Sequence, residues 1–273
     1  MKNISKSIIK KSNTVVFKVG SSLIVDSNGE TRTDWMDSLA EDIRDLYAEG
    51  KSAVIVSSGA IALGRKILGL GLNKLTLVQK QAAAAVGQIK LCELYRQILK
   101  IKKIKTAQIL ITQDNAENPV TYKNAENTLK KLLEMGVVPI INENDTVSTE
   151  EIRIGDNDRL GAIVSQMVCA DILVLLSDID GLYTSDPKVN KKAKFIPVVK
   201  EITPEIEAMA SDSKTALGTG GMASKLAAAK MCLESSCSMV ITTGAQLYPL
   251  RRLNKGERCT WFLAEKGKCE VKK

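Results

Sequence analysis

The stretch that decides the fold is VVPIINENDTVSTEEIRIGDNDRL, residues 137–160. An apolar run rich in β-branched residues leads into a first polar cluster at 142–145, and a second at 155–158 opens a helical pattern that continues to 168. A buried strand, a polar loop and a helix start are typical of the carboxyl end of a parallel strand, where open α/β sheets bind ligands. Either cluster alone would fit a solvated turn with a helix cap. Two clusters around one loop favour a site for an ammonium group, a metal ion or a pair of lysines.

The segments on either side alternate between the two kinds of secondary structure. Apolar runs predict strands at residues 14–19, 53–56, 106–111, 137–141, 171–177, 238–242 and 258–263. Helical periodicity predicts helices at residues 33–49, 75–100, 122–135, 160–168 and 204–209, and from the glycine-rich segment 218–225 to residue 234. The alanine-rich segment 82–85 permits close packing against another helix or another subunit. We therefore predict a single α/β domain at 14–263, after a basic N-terminal extension, 1–13, and before a tail, 264–273.

The amino-acid composition limits the kinds of ligand that the protein is expected to bind. Of the 273 residues 44% are hydrophobic but only 4% aromatic, so leucine, isoleucine, valine and alanine must build the core. The net charge of +8 favours anionic ligands through electrostatic steering. The basic residues are dispersed and never interleaved with aromatic ones, so we expect no nucleic-acid partner.

The six cysteines form no CxxC pair, and the chain has no histidine. A zinc site is therefore unexpected, and serine or cysteine catalysis that depends on histidine is excluded, as is a histidine general base. Free thiols fit a reducing cytosol. The amino terminus lacks the apolar region of a signal peptide, and no run approaches the roughly 18 apolar residues of a membrane span. We predict a cytoplasmic protein with no membrane partner.

Small residues follow the ends of two predicted strands. Lys18 precedes Gly20 and two serines, and the strand at 53–56 ends in Ser-Ser-Gly-Ala. The segment 218–225, GTGGMASK, contains a GxGxxA pattern. A dinucleotide-binding site requires this pattern directly after a buried strand, and none precedes it here, so we reject that interpretation. The segment instead predicts a glycine-rich loop that binds an anion at the start of a helix, with Lys225 in the first turn of that helix. Two lysines beside glycine-rich backbone, with an acidic cluster between them in sequence, suit phosphoryl transfer.

These motifs occur in a fixed order: KVGS at 18–21, VSSGAI at 56–61, INEND at 141–145, GDND at 155–158, LSD at 176–178 with GLYTSDP at 181–187, and the segment 218–225. The ordered set resembles the glutamate 5-kinases, a branch of the amino acid kinase family, over residues 14–263. INEND with GDND separates this branch from relatives that act on aspartate, carbamate or UMP. The resemblance implies a three-layer αβα sandwich around a mainly parallel open sheet. It also implies that ATP with Mg²⁺ phosphorylates the γ-carboxylate of L-glutamate to γ-glutamyl phosphate, the first step of proline biosynthesis.

The resemblance assigns roles by position. Lys18 and Lys225 neutralise phosphate charge, and Asp158 orients both of them. Ser58, Asp145 and Asn157 bind glutamate. The nucleotide-binding positions are Lys18, Ser177, Asp178, Thr219, Gly220, Gly221, Met222, Ala223, Ser224 and Lys225. The sequence singles out no metal-ligating residue.

The chemistry of the substrate agrees with this assignment. A carboxylate with a reference pKa near 4.3 is already ionised at neutral pH, so a chain without histidine needs no general base. The resemblance also implies feedback inhibition by proline at the glutamate site and a homo-oligomer. Many members continue into a C-terminal PUA domain, which we do not expect here because only residues 264–273 remain. Two alternatives stay open: another acyl or phosphate kinase of the same fold, and a non-catalytic amino-acid or nucleotide sensor.

Overall fold

The computed structural model describes residues 2–71, 73–147, 156–211 and 221–265. Its strands are β1 Thr14–Val19, β2 Ser52–Ser57, β3 Lys105–Ile111, β4 Val137–Glu143, β5 Ile172–Ser177, β6 Leu182–Tyr183, β7 Phe195–Ile196, β8 Val198–Val199, β9 Ser238–Thr243 and β10 Cys259–Phe262. Its helices are α1 Lys2–Lys11, α2 Ser21–Ile24, α3 Thr33–Ala48, α4 Ala60–Ile67, α5 Leu77–Ile101, α6 Gln113–Glu117, α7 Pro119–Glu134, α8 Asn157–Met167, α9 Pro204–Ser211, α10 Met222–Glu234 and α11 Pro249–Lys255. Within these ranges, none of the helices combines the length and the apolar character that crossing a membrane requires.

Eight strands form one sheet in the order β3-β4-β2-β1-β5-β9-β10-β8. The six strands from β3 to β9 run parallel, whereas β10 is antiparallel to β9 and parallel to β8. Helices cover both faces, which is why the central strands are continuous apolar runs. One hydrophobic layer joins the sheet to α1, α3, α5 and α11, and the other joins it to α7, α8 and α10. The predicted three-layer αβα sandwich is confirmed.

The alternation of side chains along β1 decides where its lysine goes. Phe17 and Val19 belong to the hydrophobic layer under α3 and α5, while Val16 belongs to the opposite layer under α8. Because side chains on a strand alternate between faces, Lys18 shares the face of Val16. Gly161 of α8 packs over this position, with its α-carbon facing Lys18 Cβ and Leu173. The lysine therefore lies between the sheet and the layer that carries α8 and α10.

The alanine-rich segment packs against a helix of the same chain. Gly87 of α5 and Gly64 of α4 lie so close that a Cβ at either would collide with backbone of the other helix, at Ala60 and Ala83 respectively. The two helices thus touch backbone to backbone. This contact fixes the position of α5 along α4.

The N-terminal residues predicted as a basic extension form the amphipathic helix α1. Its lysines are exposed, but Ile9 lies in the core and Ser5 is fully buried. Ser5 Oγ accepts a hydrogen bond from Trp261 Nε1 at 2.9 Å. The GLYTSDP motif at 181–187 contains β6 and begins the loop of a two-stranded hairpin, β6–β7. The five cysteines in the described part of the chain are free, and Cys232, Cys237 and Cys259 are buried.

Candidate active site

Four parallel strands end at the same edge of the sheet, and each delivers a predicted site residue there. Lys18 lies near the end of β1, Ser58 follows β2, Asp145 follows β4, and Ser177 ends β5. The register of the ladders aligns these ends: Lys18 pairs with Val56 of β2 and with Leu175 of β5. The structure therefore gathers at one edge the motifs that the sequence separates by more than a hundred residues.

The centre of the site is a buried cluster of three charged side chains. Asp158 Oδ1 lies 2.7 Å from Lys18 Nζ, and Asp158 Oδ2 lies 2.8 Å from Lys225 Nζ. Asp158 is fully buried, and the lysine side chains are only 12% and 6% exposed. One carboxylate thus fixes two ammonium groups that would otherwise repel each other, and the cluster keeps a net charge of +1.

The electrostatics of the two neighbouring aspartates differ. Burial by itself raises the pKa of Asp158, but the charges of Lys18 and Lys225 outweigh it and hold that pKa below its usual value. Burial, together with the negative charge of Asp158, raises the pKa of Asp156. Asp156 Oδ1 accepts the backbone N–H of Asp158 at 2.9 Å and so caps α8. This cap places Asp158 in the first turn of the helix, facing β1.

On the β2 and β4 side of the cluster lies a group of neutral polar residues. Asn157 Nδ2 donates to Ser58 Oγ at 2.7 Å and to Asn142 Oδ1 at 3.2 Å. Gly59 has a φ of 110°, a left-handed conformation that lets the chain turn sharply from Ser58 into α4. Asp145 is half-buried in the loop that follows β4. The structure thus brings Ser58 and Asn157 into contact, while residues 148–155 of this loop lie outside the described residues.

On the other side of Lys225, a cavity of about 190 Å³ opens between β5, the hairpin and the start of α10. Among the predicted nucleotide positions Asp178, Gly221, Met222 and Lys225 line it. Gly221 caps α10, whose first turn carries no acidic residue. Such a helix start offers unpaired N–H groups and a positive dipole end to an anion.

The remaining predicted nucleotide positions flank this cavity or lie outside the described residues. Ser177 donates from Oγ to Asp178 Oδ1 at 3.0 Å. Ala223 is exposed in the first turn of α10, and the buried Oγ of Ser224 has no hydrogen-bond partner in the part of the chain that the structure describes. Thr219 and Gly220 fall outside that part.

Sequence reasoning missed several residues of this region. Tyr183, Lys188 and Met209 line the cavity, and they come from the hairpin and from α9. Tyr183 OH donates to Asp180 Oδ1 at 2.9 Å, which holds the hairpin beside the cavity. The motif GLYTSDP marks the hairpin side of the cavity in the sequence. Its residues alone do not show in which direction the hairpin folds.

The sheet order and the helices on both faces define a class of protein, the amino acid kinase fold. Carbamate kinase from Giardia lamblia bound to AMP-PNP superposes with a TM-score of 0.65 and 17% identity, covering 94% of this chain and all of that one. UMP kinase from Ureaplasma parvum superposes with a TM-score of 0.62 and 16% identity, covering 93% of this chain and 99% of that one. At this identity the likeness shows the fold alone.

The chain belongs to the amino acid kinase family, whose model matches residues 13–243. It is 54% identical over 250 residues to glutamate 5-kinase from Paramagnetospirillum magneticum, covering 91% of this chain and 67% of that protein. It is 51% identical to glutamate 5-kinase from Dinoroseobacter shibae, covering 91% of this chain and 68% of that protein. The chain thus spans about two thirds of the length of the curated relatives it matches.

Proposed function

We propose that this protein transfers the γ-phosphoryl group of ATP to the γ-carboxylate of L-glutamate, giving γ-glutamyl phosphate and ADP, the first step of proline biosynthesis. The buried Lys18–Asp158–Lys225 cluster carries the proposal because its net positive charge lies between the amide-rich side of the site and the cavity lined by Asp178 and Met222. The relatives named glutamate 5-kinase support the choice of substrate.

The reaction needs charge neutralisation and alignment more than acid–base chemistry. An oxygen of the γ-carboxylate attacks the γ-phosphorus, and the bond from that phosphorus to the β–γ bridging oxygen breaks, so ADP leaves with the electron pair and no proton moves. Phosphoryl transfer of this kind relies on positioning and on fixed positive charge. Lys18 and Lys225 supply that charge without reorganisation, because Asp158 already holds both ammonium groups in place.

The two substrates would occupy opposite sides of the cluster. Glutamate would lie against Ser58, Asn157 and Asp145, with the Asp145 carboxylate near its α-ammonium group. ATP would extend from the cavity at Asp178 and Met222, with its phosphates over the start of α10, where the backbone N–H groups of the first turn would donate to them.

Magnesium would enter with the nucleotide. Within the described ranges, no three acidic, histidine or cysteine residues come together as a metal cluster. Mg²⁺ commonly keeps several waters and takes only one or two carboxylates beside substrate phosphates, so the oxygen donors present suffice. Asp178, which lines the cavity, is the residue that would hold it. Bound there, the ion would neutralise phosphate charge in addition to the two lysines.

An ATP-dependent hydroxamate assay, in which hydroxylamine traps the acyl phosphate, tests the proposal directly. Glutamate should give γ-glutamyl hydroxamate, while aspartate should give little and carbamate and UMP should cause no extra release of ADP. A preference for another acceptor would favour the alternative acyl or phosphate kinase. Binding of both ligands without turnover would favour the sensor.

The proposed function extends to inhibition by proline, to oligomeric state and to cellular location. Proline would compete for the amino-acid end of the pocket, since it carries the same α-carboxylate and a cationic nitrogen but no γ-carboxylate to attack ATP. A homo-oligomer and a cytoplasmic location, where free thiols persist, are the corresponding proposals for assembly and compartment.

A further inference from the structure

A side chain outside the predicted site touches it through a relay of amides. Gln88 lies on α5 and is 7% exposed. Its Oε1 accepts a hydrogen bond from Asn142 Nδ2 at 3.0 Å, and Asn142 Oδ1 in turn accepts from Asn157 Nδ2 at 3.2 Å. Asn142 is itself 4% exposed, so the first link of the relay is closed to solvent.

The orientation of Gln88 determines the orientation of each amide group that follows it in the relay. Because Gln88 presents an acceptor, Asn142 must turn its NH₂ group towards α5 and its carbonyl oxygen towards Asn157. Asn157 must then turn its NH₂ group inward, where it also meets Ser58 Oγ at 2.7 Å. Both amide hydrogens of Asn157 are used, and in the described ranges no donor reaches its Oδ1.

Gln88 is itself held in place. Gly87, the preceding residue, is in backbone contact with α4 at Ala60, so α5 cannot slide or rotate at this point. The Nε2 group of Gln88 donates to Cys92 Sγ at 3.3 Å, one turn further along the helix. With Nε2 on the sulfur and Oε1 on Asn142, both ends of the Gln88 amide are engaged.

We propose that Gln88 is a positioning residue that fixes the orientation of the Asn157 amide, so that Asn157 Oδ1 faces the α-ammonium group of the acceptor amino acid. An amide oxygen accepts hydrogen bonds from an ammonium group and repels a carboxylate. The relay therefore makes this end of the pocket selective for a substrate with a protonated amine. The inference rests on the proposed function, because it names the role of one residue in glutamate binding.

Replacing Gln88 by methionine, which has a similar volume and neither an amide donor nor a carbonyl acceptor, should break the relay. Asn142 Nδ2 would lose its partner in a buried place, and the amides of Asn142 and Asn157 would be free to turn over. We expect the KM for glutamate to rise roughly tenfold, the effect of one unsatisfied buried polar group. The kcat and the KM for ATP should stay within about twofold of wild type, because neither involves this end of the pocket.

Two further variants separate positioning from folding. Gln88→Glu keeps an acceptor oxygen for Asn142 and should restore most of the affinity for glutamate. Gln97→Met makes the same chemical change at an exposed position of α5 and should leave all constants unchanged. Urea unfolding of each variant shows whether the helix has been destabilised.

Inhibition by glutarate, which has both carboxylates of glutamate but no amine, identifies the group that the relay recognises. Its inhibition constant should be the same in wild type and Gln88→Met, while the KM for glutamate rises. An unchanged KM for glutamate in a folded Gln88→Met variant would overturn the inference. So would a Gln88→Glu variant as impaired as Gln88→Met, or parallel losses for glutamate and glutarate. A wild-type protein that does not phosphorylate glutamate contradicts the proposed function itself and removes the basis of the inference.

Discussion

Lys225 and Asp158 are 67 residues apart in the chain, yet Lys225 Nζ lies 2.8 Å from Asp158 Oδ2 and both side chains are buried. With Lys18 on the other carboxylate oxygen, the group holds two positive charges and one negative charge. These three side chains by themselves carry one excess positive charge. An anion between the two lysines would balance it, and this relationship motivates the first prediction.

Lys18→Ala and Lys225→Ala should each lower kcat by about 10²–10³, because each removes a fixed positive charge from the place where phosphoryl charge shifts. Steady-state kinetics on folded protein measure the effect. Lys66→Ala is the matched control, since Lys66 pairs with Glu30 on the exposed surface and should have no influence on kcat. A near-normal kcat in either site variant would contradict the assignment.

Asp145→Asn should raise the KM for glutamate by about 30-fold or more, because removing one partner of a desolvated charge pair typically costs roughly 2–5 kcal/mol. The KM for ATP should change little, since the nucleotide cavity lies on the other side of the lysine pair. Kinetics with each substrate varied in turn distinguish the two constants. Equal weakening of both substrates would instead indicate a structural or metal-binding role.

Proline should inhibit competitively with glutamate and not with ATP, because the residues invoked for both amino acids lie on one side of the site. Initial rates at several proline and glutamate concentrations, with ATP saturating, measure this. High glutamate should relieve the inhibition fully. Inhibition that persists at high glutamate would rule out a shared site, and no effect of proline would show that the kinase portion lacks this control.

A buried carboxylate away from the site should make stability depend on pH. Asp42 is 1% exposed and accepts the backbone N–H of Leu250 at 2.7 Å. Burial raises the pKa of Asp42 to about 7 from an unfolded value of 3.8, despite the nearby Arg251. Between these values the folded state holds a proton that the unfolded state has released, so stability falls as pH rises through the window.

Asp42→Asn should remove this dependence, because asparagine stays neutral and keeps an acceptor for Leu250. The slope lost is at most about 1.4 kcal/mol per pH unit between pH 4 and 7. Urea unfolding at several pH values measures it. Glu207→Gln, at an exposed pair with Lys230, should leave the slope unchanged. Identical slopes for wild type and Asp42→Asn would contradict the raised pKa.

Local sequence patterns sufficed for the parallel core and for the edge where ligands bind. The apolar runs at β1, β2, β4 and β5 are long and end in small or polar residues, so both the strands and their functional ends were predicted. The predicted helix end at residue 135 lies one residue beyond the end of α7, and Gly136 follows it with a φ of 66°. The ordered motifs then placed Lys18, Asp158 and Lys225 together, as the structure shows.

What the sequence did not reveal depends on contacts between distant residues. Gln88 lies 54 residues from Asn142, and an interior glutamine in an alanine-rich helix carries no periodic signal of its partner. Asp42 lies in a predicted helix, but its partner, the backbone N–H of Leu250 in α11, is 208 residues away in the chain. The lysines of α1 predict a basic extension, because the few apolar residues between them give only a weak helical pattern.

The hydrogen bond between Ser5 and Trp261 links residues 256 positions apart, and this separation has a consequence for biosynthesis. Synthesis runs from the amino end, so α1 leaves the ribosome well before β10 and cannot make this contact until Trp261 has followed it. Ser5 and Trp261 can therefore meet only after the strands that lie between them in the chain have been synthesised.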